Sequence, residues 1–311
     1  MIRIVSGRTC KGFAMGEQES TVHSEIGGET AVSGIWDHLP RLTPRPKVSV
    51  IVPAMNEARN LPHVAARMPP DVDEIVFVDG NSVDDTVAVG RELWPEAMYL
   101  TQTRKGKGNA LACGFEACTG DIIVMIDADG STDPQEITRY VGALVAGADF
   151  AKGSRFVAGG GSADITRVRR VGNWGLNSVV NTLFSCSFTD LCYGYNAFWR
   201  HCLEVMQLPP TRAAVPQWGD GFEIETLLNV RVAVSGLSIS EVHSFEANRI
   251  HGESNLNAIS DGMRVLRTIG QEYSNQRRAR RRRSPVPGGT AVARAYEEHG
   301  ETGWVAPGHV G

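Results

Sequence analysis

The residues with the clearest chemical potential are two aspartates separated by a single residue, Asp127-Ala128-Asp129. They directly follow a short apolar run over 122–126, which predicts a buried strand. Two carboxylates at a strand end can reach one hard cation, and Mg²⁺ or Mn²⁺ takes such oxygen ligands together with substrate phosphates. Asp and Gly are also good turn formers, so an isolated tripeptide of this kind is more often a turn.

A second candidate is a glycine- and lysine-rich segment, Arg104-Lys105-Gly106-Lys107-Gly108, which opens a predicted helix over 108–118. Glycines at a helix start let backbone N–H groups approach an anion, and lysines add positive charge. The spacing is not that of a P-loop, because no GxxxxGK[ST] is present. Taken alone, the segment is also typical of a solvated turn.

Both candidates depend on elements that bring them together. Short apolar runs alternate with helical stretches, which predicts βαβ units and a mostly parallel sheet. Ligands of such sheets bind at the carboxyl ends of the strands, where both segments lie. The predicted strands are 48–52, 74–78, 97–100, 122–126 and 237–243, and the predicted helices are 58–68, 86–93, 108–118, 169–184, 222–235 and 256–273.

Further segments stand in a fixed order around these two. The strand over 48–52 leads into Val52-Pro53-Ala54-Met55-Asn56-Glu57, and the next ends in Asp79-Gly80-Asn81-Ser82. With the lysine-glycine segment and the paired aspartates, this series resembles family 2 glycosyltransferases of the GT-A fold, most closely the dolichol- or polyprenyl-phosphate mannose or glucose synthase branch. The resemblance covers about residues 47–270 and continues through Gly153-Ser154-Arg155-Phe156, residues 190–198, Gly221-Phe222-Glu223-Ile224-Glu225 and Arg249-Ile250-His251-Gly252-Glu253-Ser254.

The resemblance implies an α/β fold, a Rossmann-like, mostly parallel twisted sheet flanked by helices, with a C-terminal acceptor-side region. It implies a metal-dependent, inverting transfer of a hexose from a GDP- or UDP-sugar to a polyprenyl phosphate. The residues expected around the nucleotide are Pro53, Ala54, Glu57, Asp79, Lys107, Gly108, Asp127 and Ala128. The expected ligands of Mg²⁺ or Mn²⁺ are Asp127 and Asp129, Arg155 is expected to face a phosphate, and Arg169, Trp218, Arg249 and Ser254 are expected on the acceptor side.

The chain departs from the family pattern at three positions. Gly80 follows Asp79 where many relatives have a second aspartate, and Ser131 stands where related phosphomannose synthases often have a metal-contacting glutamine. Asn255 replaces a lysine that is common in the acceptor motif, which weakens the expectation of a phosphorylated acceptor.

The acceptor decides whether the reaction needs a base. A hydroxyl acceptor must lose its proton to a carboxylate, and Asp220 in Trp218-Gly219-Asp220-Gly221, with Glu223 nearby, is the candidate. A lipid phosphate is already anionic and needs no base, so that Asp220 would then orient the loop or be a turn residue between two glycines.

The charged residues are distributed unevenly along the chain. Residues 47–273 hold 19 basic and 27 acidic side chains, a net charge of −8, whereas 274–311 hold 7 and 3, a net charge of +4. We therefore expect an extension over 1–46 that is at most partly ordered, a catalytic domain over 47–273 with a nucleotide-sugar half (47–150) and an acceptor half (151–273), and a disordered basic tail. The run from Arg277 to Arg283 has six arginines in seven residues. It suits a solvated tail or an anionic membrane surface, whereas no aromatic interleaving supports nucleic-acid binding.

Composition excludes several classes. With 42% hydrophobic and 21% charged residues the chain is an ordinary globular one. No apolar run approaches the ~18 residues of a membrane span, and no secretory signal or CxxC pair is visible, which favours a cytoplasmic protein, at most peripheral at the inner face of the membrane. The alternatives are a soluble family 2 enzyme acting on the hydroxyl of a glycan or small molecule, a nucleotidyltransferase, and a non-catalytic nucleotide-sugar-binding protein. The oligomeric state stays open.

Overall fold

The computed structural model describes residues 3–5, 32–40, 42–252 and 258–283. Ten strands occur in this part of the chain. They are β1 (Arg3–Val5), β2 (Val48–Ala54), β3 (Glu74–Asp79), β4 (Met98–Thr101), β5 (Ile122–Met125), β6 (Phe150–Ser154), β7 (Gly161–Ser162), β8 (Asn196–Trp199), β9 (Ile239–His243) and β10 (Phe245–Glu246).

The helices alternate with these strands through the first half of the chain. They are α1 (Leu61–Ala65), α2 (Thr86–Leu93), α3 (Lys107–Ala117), α4 (Ile137–Val145), α5 (Arg167–Phe184), α6 (Cys202–Met206), α7 (Ile224–Ser235) and α8 (Ala258–Arg283). Short 3₁₀ turns form over Ile35–Asp37 and Pro134–Glu136.

Eight strands form one sheet in the order β1-β9-β6-β8-β5-β2-β3-β4. The neighbours β5, β2, β3 and β4 run parallel, and so do β6 and β9. The strand β8 lies between β5 and β6 and is antiparallel to both. The remaining two strands, β7 and β10, pair parallel in a small separate ribbon.

The core lies on both faces of this sheet. Every residue of β5 is buried, and in β2 the run from Val48 to Val52 is buried without interruption. Continuous apolar runs of this kind belong to parallel strands covered by helices on both sides. The helix α3 packs on β2 and β3, and Gly114 permits the close approach because a Cβ there would overlap the side chain of Ile51.

The predicted α/β class is confirmed, and the strand and helix predictions hold to within a few residues, except that the last helix, predicted over 256–273, extends to Arg283. The strands β6 and β8 and the helices α4 and α6 were not predicted. In the N-terminal extension, β1 pairs with β9 and Ile35 is buried.

The chain divides into two units, with the boundary after Gly270. The helix α8 continues past this boundary to Arg283, which differs from the expectation of a disordered tail from 274 onward. The run from Arg277 to Arg283 is therefore helical, and residues 284–311 lie outside the described part. No helix of the described residues is long and apolar enough to cross a membrane.

Candidate active site

A cavity of about 1240 Å³ opens at the carboxyl ends of the parallel strands. Pro53 and Ala54 at the end of β2, Gly80 after β3, and Asp127, Ala128 and Asp129 after β5 line one end. This is the edge at which parallel α/β sheets bind their ligands. The cavity extends from there between α5 and the first turns of α8.

Asp127 is bound to a lysine. Its Oδ1 lies 2.6 Å from Lys107 Nζ, which also lies 2.8 Å from Glu225 Oε1. Burial alone would lower the pKa of Lys107, but the negative charges of Asp127 and Glu225 outweigh it and raise the pKa above its ordinary value. Lys107 therefore stays charged and holds two carboxylates together.

Asp129 is bound in a similar way to an arginine. Arg249 lies with Nη2 3.3 Å from Asp129 Oδ2 and with Nη1 3.0 Å from Glu57 Oε1. The other oxygen of Asp129 accepts hydrogen bonds from the backbone N–H and the hydroxyl of Ser131, at 2.9 and 2.7 Å. Burial raises the pKa of Glu57, although Asn60 and Arg249 work against it.

The site thus gathers four carboxylates and two cations along one cavity. Glu57, Asp127, Asp129 and Glu225 face Lys107 and Arg249, a formal excess of two negative charges. A divalent cation would neutralise this excess. Among the described residues no three His, Cys, Asp or Glu side chains form a group that could hold a metal ion, so Asp127 and Asp129 would supply only part of a ligand set. Mg²⁺ is commonly held by one or two carboxylates and completed by substrate phosphates, which the pair fits.

Most of the residues expected around the nucleotide lie at or near the end of the cavity that Asp127 and Asp129 line. Pro53, Ala54, Glu57 and Ala128 line it, whereas both oxygens of Asp79 accept backbone N–H groups of the turn at Asn81 and Ser82. At Gly80, the residue after Asp79, an added Cβ would lie 2.8 Å from Met55 Cβ. The tight turn after β3 therefore leaves no room for a side chain at this position.

The glycines of the lysine-glycine segment lie against the backbone of another loop. A Cβ on Gly108 would overlap the carbonyl oxygen of Gly219, and one on Gly106, where φ is +129°, would overlap that of Asp220. The N–H of Asn109 donates to the Asp220 carbonyl at 3.1 Å. The 219–221 loop packs against the helix start, so Gly108 permits a close contact between two backbones, and its role beside the nucleotide stays a prediction.

The predicted base, Asp220, is held in a buried ion pair. Both of its oxygens accept from the Arg104 guanidinium, at 2.8 Å from Nε and 2.7 Å from Nη2, and the two side chains are almost fully buried. Arg104 also donates to the carbonyl oxygens of Pro210, Thr211 and Ala213. This ion pair fixes the loop that precedes α7, and Asp220 does not line the cavity. The arrangement does not support Asp220 as a base.

The neighbours of Asp220 have structural contacts as well. Glu223 Oε1 accepts the backbone N–H groups of Gly219 and Gly221 at 3.0 and 3.3 Å. The Trp218 ring lies 4.7 Å from the Arg267 guanidinium carbon. Neither Glu223 nor Trp218 lines the cavity, so the predicted catalytic and acceptor roles find no support in their positions.

Arg155 lines the cavity but is already paired. Its guanidinium binds Asp190 through Nε at 2.7 Å and Nη2 at 2.9 Å, and Glu246 through Nη1 at 2.9 Å. Although burial works against its charge, hydrogen bonds from Arg155 to Asp190 and the charges of both carboxylates raise its pKa. The positive charge of Arg155 is therefore already offset by two carboxylates, and its attraction for a phosphate is weak in this arrangement.

On the acceptor side, Arg169 lines the cavity and pairs with Asp164 at 2.6 Å. Arg249 is in the acidic cluster described above, and Ser254 lies outside the described residues. Sequence reasoning missed the roles of Glu225, Asp190 and Glu246. Glu225 and Asp190 stand within segments that carried the family resemblance, which was the available signal, whereas nothing in the sequence singled out Glu246.

Comparison with known proteins gives a consistent result. The model for Glycosyl transferase family 2 matches residues 49–205. Polyprenol monophosphomannose synthase of Mycolicibacterium smegmatis is 34% identical over 210 residues, which cover 64% of this chain and 77% of that protein. Undecaprenyl-phosphate mannosyltransferase of Micrococcus luteus is 30% identical over 220 residues, which cover 68% and 87%.

Solved structures share the fold. Glucosyl-3-phosphoglycerate synthase from Mycobacterium tuberculosis, in complex with Mn²⁺, UDP-glucose and phosphoglyceric acid, matches with a TM-score of 0.58 and 22% identity, over 78% of this chain and 88% of that one. The sheet order, the paired aspartates after β5 and these similarities lead to one conclusion: the chain belongs to glycosyl transferase family 2 and is a glycosyltransferase of the GT-A fold.

Proposed function

We propose that this enzyme is a metal-dependent, inverting hexosyltransferase that moves a sugar from a GDP- or UDP-sugar to a polyprenyl phosphate. The observation that carries the proposal is the division of the cavity. One end holds the acidic cluster with Asp127 and Asp129, and the other runs between apolar side chains of α5 and α8, among them Val168, Val171 and Leu266. A prenyl phosphate has a matching division into a charged head and a hydrocarbon chain. Two relatives at 30–34% identity, a polyprenol monophosphomannose synthase and an undecaprenyl-phosphate mannosyltransferase, have an acceptor of this class in their names.

The donor would lie against the end of β2 with its diphosphate toward the paired aspartates. Asp127 and Asp129 would hold Mg²⁺ or Mn²⁺, which supplies positive charge where negative charge grows on the departing diphosphate. Lys107 and Arg249, both salt-bridged to these aspartates, are cations at that end of the cavity. Their carboxylate partners keep both side chains oriented toward the cavity.

The acceptor phosphate would attack the anomeric carbon directly. A bond forms between a phosphate oxygen and that carbon while the bond to the diphosphate oxygen breaks, which inverts the configuration. An anionic phosphate needs no base, and this agrees with the engagement of Asp220 by Arg104. Arg169 on α5 is an acceptor-side cation that lines the cavity. In this proposal residues 47–273 form the catalytic domain, and the enzyme works at the cytoplasmic face of the membrane.

The test is a transfer assay with defined acceptors. The protein is incubated with GDP-mannose, UDP-glucose or another nucleotide sugar, Mn²⁺ and undecaprenyl phosphate, and the organic phase is analysed by mass spectrometry for a hexosyl lipid. Asp129→Asn should abolish the product. Asp85→Asn is the matched control, because Asp85 is exposed at the start of α2 and its side chain caps no backbone N–H group.

Two outcomes would reject the proposal. Transfer only to a hydroxyl of a glycan or small molecule would assign the soluble-acceptor alternative. Release of pyrophosphate from a nucleoside triphosphate and a sugar phosphate, without transfer, would indicate a nucleotidyltransferase.

A further inference from the structure

The first three turns of α5 have polar side chains inside and apolar side chains outside. The buried side chains of these turns are Asn173 and Asn177. Asn173 Nδ2 donates to Asp190 Oδ1 at 3.1 Å, and Asn177 Nδ2 donates to the carbonyl oxygen of Thr189 at 2.5 Å. A surface helix of a globular protein normally has the reverse arrangement, with its apolar stripe toward the core.

The outer side of these turns is apolar and exposed. Val168 is 74% exposed, Val171 67% and Trp174 70%. On α8, Met263 and Leu266 are 62% and 42% exposed and line the same cavity as Val168 and Val171. Single exposed apolar side chains are ordinary, but a cluster of this kind marks an interaction surface.

The charged side chains on these turns of α5 itself are all positive. Arg167 and Arg170 are exposed on the same three turns, and α5 contains no aspartate or glutamate. Arg169 is the arginine of this group that is paired, to Asp164. A helix face with Val and Trp side chains bordered by arginines is suited to an interface between water and anionic lipid, where Trp rings prefer to lie.

We propose that the outer face of α5 is the membrane-docking surface of this enzyme, with anionic phospholipid as its partner. Trp174 enters the headgroup region, Arg167 and Arg170 contact lipid phosphates, and Val168 and Val171 lie where this face meets the cavity. Because the α5 wall also lines the cavity, docking brings its mouth to the bilayer in which a polyprenyl phosphate resides. The inference deepens the proposed function and rests on it for the acceptor. It assigns the membrane contact to α5, not to the run from Arg277 to Arg283.

The experiment measures binding to vesicles and transfer separately. The full chain is sedimented with vesicles of phosphatidylcholine, alone or mixed with phosphatidylglycerol. We expect the wild type to bind the mixed vesicles, and Trp174→Gln and the double variant Arg167→Gln/Arg170→Gln to partition on the order of tenfold less. The controls are Val83→Ser and Arg212→Gln, exposed residues away from α5 that should bind like the wild type.

Transfer to geranyl phosphate in solution shows whether the variants are intact. Trp174, Arg167 and Arg170 do not line the cavity, so this activity should not change. The proposal is overturned if the α5 variants bind vesicles like the wild type, or if Arg277→Gln/Arg278→Gln alone abolishes binding. It is also overturned if the wild type is a dimer without vesicles and Trp174→Gln is a monomer, because a second copy would then cover the face. Vesicle binding without transfer to any prenyl phosphate would reject the proposed acceptor and leave the α5 assignment in place.

Discussion

The sharpest test of the site concerns Asp220, whose contacts predict a structural role. Replacing it by asparagine removes the negative charge opposite Arg104 but keeps the side-chain shape. The exposed fractions of the two side chains are 6% for Arg104 and 8% for Asp220, so that water does little to screen the remaining guanidinium. Breaking a buried ion pair by removing one partner costs about 3–5 kcal/mol.

This loss of folding free energy can be measured as a change in melting temperature. One kcal/mol corresponds to roughly 2–4 °C in a domain of this size class, so Asp220→Asn should lower the melting temperature by roughly 6–20 °C. The double variant Arg104→Met/Asp220→Asn should lose less than the sum of the two single variants, because it no longer buries an uncompensated charge. Differential scanning calorimetry of the four proteins measures both effects.

Measuring the activity of Asp220→Asn distinguishes a structural role of Asp220 from a role as general base. We expect Asp220→Asn, assayed well below its melting temperature, to retain kcat within about tenfold of the wild type. A general base contributes about 10²–10⁴-fold. A loss of that size with an unchanged melting temperature would refute the structural assignment and would indicate that the acceptor is a hydroxyl.

Three further predictions follow from other contacts. Gly108→Ala should destabilise the protein by about 3 kcal/mol, because its Cβ would meet backbone of the 219–221 loop, which cannot move aside as a side chain can; an unchanged melting curve would contradict this packing. Burial alone would raise the pKa of Glu74, but hydrogen bonds, including those from Thr119, outweigh it and lower the pKa. The Glu74 carboxylate therefore stabilises the fold at pH values above its ordinary pKa of 4.5, and this contribution is lost as the pH falls. Glu74→Gln should therefore cost about 1–2 kcal/mol at neutral pH and much less near pH 3 in urea titrations, and a cost independent of pH would refute the assignment. Arg249→Met should raise the affinity for Mn²⁺ without nucleotide by about tenfold, because it removes the cation beside Asp129; electron paramagnetic resonance measures free Mn²⁺, and unchanged or weaker binding would argue against this competition.

The parallel half of the sheet was predictable because its strands have strong local signals. The buried runs of β2 and β5 are continuous and apolar, and each is followed by a helix. The antiparallel strand β8 gave no comparable signal. It has four residues, and its place between β5 and β6 depends on pairing with residues far away in the sequence.

The site was predictable where it depends on strand ends. Asp127 and Asp129 follow β5, and a sheet of this type brings them to the same edge as Pro53 at the end of β2 and Glu57 after it. Contacts that close over long sequence separations were not predictable. Arg104 and Asp220 are 116 residues apart, and the sequence offered no reason to pair them.

Glycines presented a similar difficulty. The pattern around Gly108 fits either an anion site or a close backbone contact, and the approach of the 219–221 loop, which shows the contact, is not visible in the sequence. The inverted polarity of α5 is visible only once the buried partners of Asn173 and Asn177 are known.

The most direct test of the central claim is the rate at which the enzyme releases nucleoside diphosphate from its nucleotide sugar. We predict that release requires both Mn²⁺ or Mg²⁺ and a polyprenyl phosphate, that a chelator stops it, and that Asp129→Asn abolishes it. Release that proceeds equally well without prenyl phosphate, or only when a hydroxyl acceptor is added, would contradict the account.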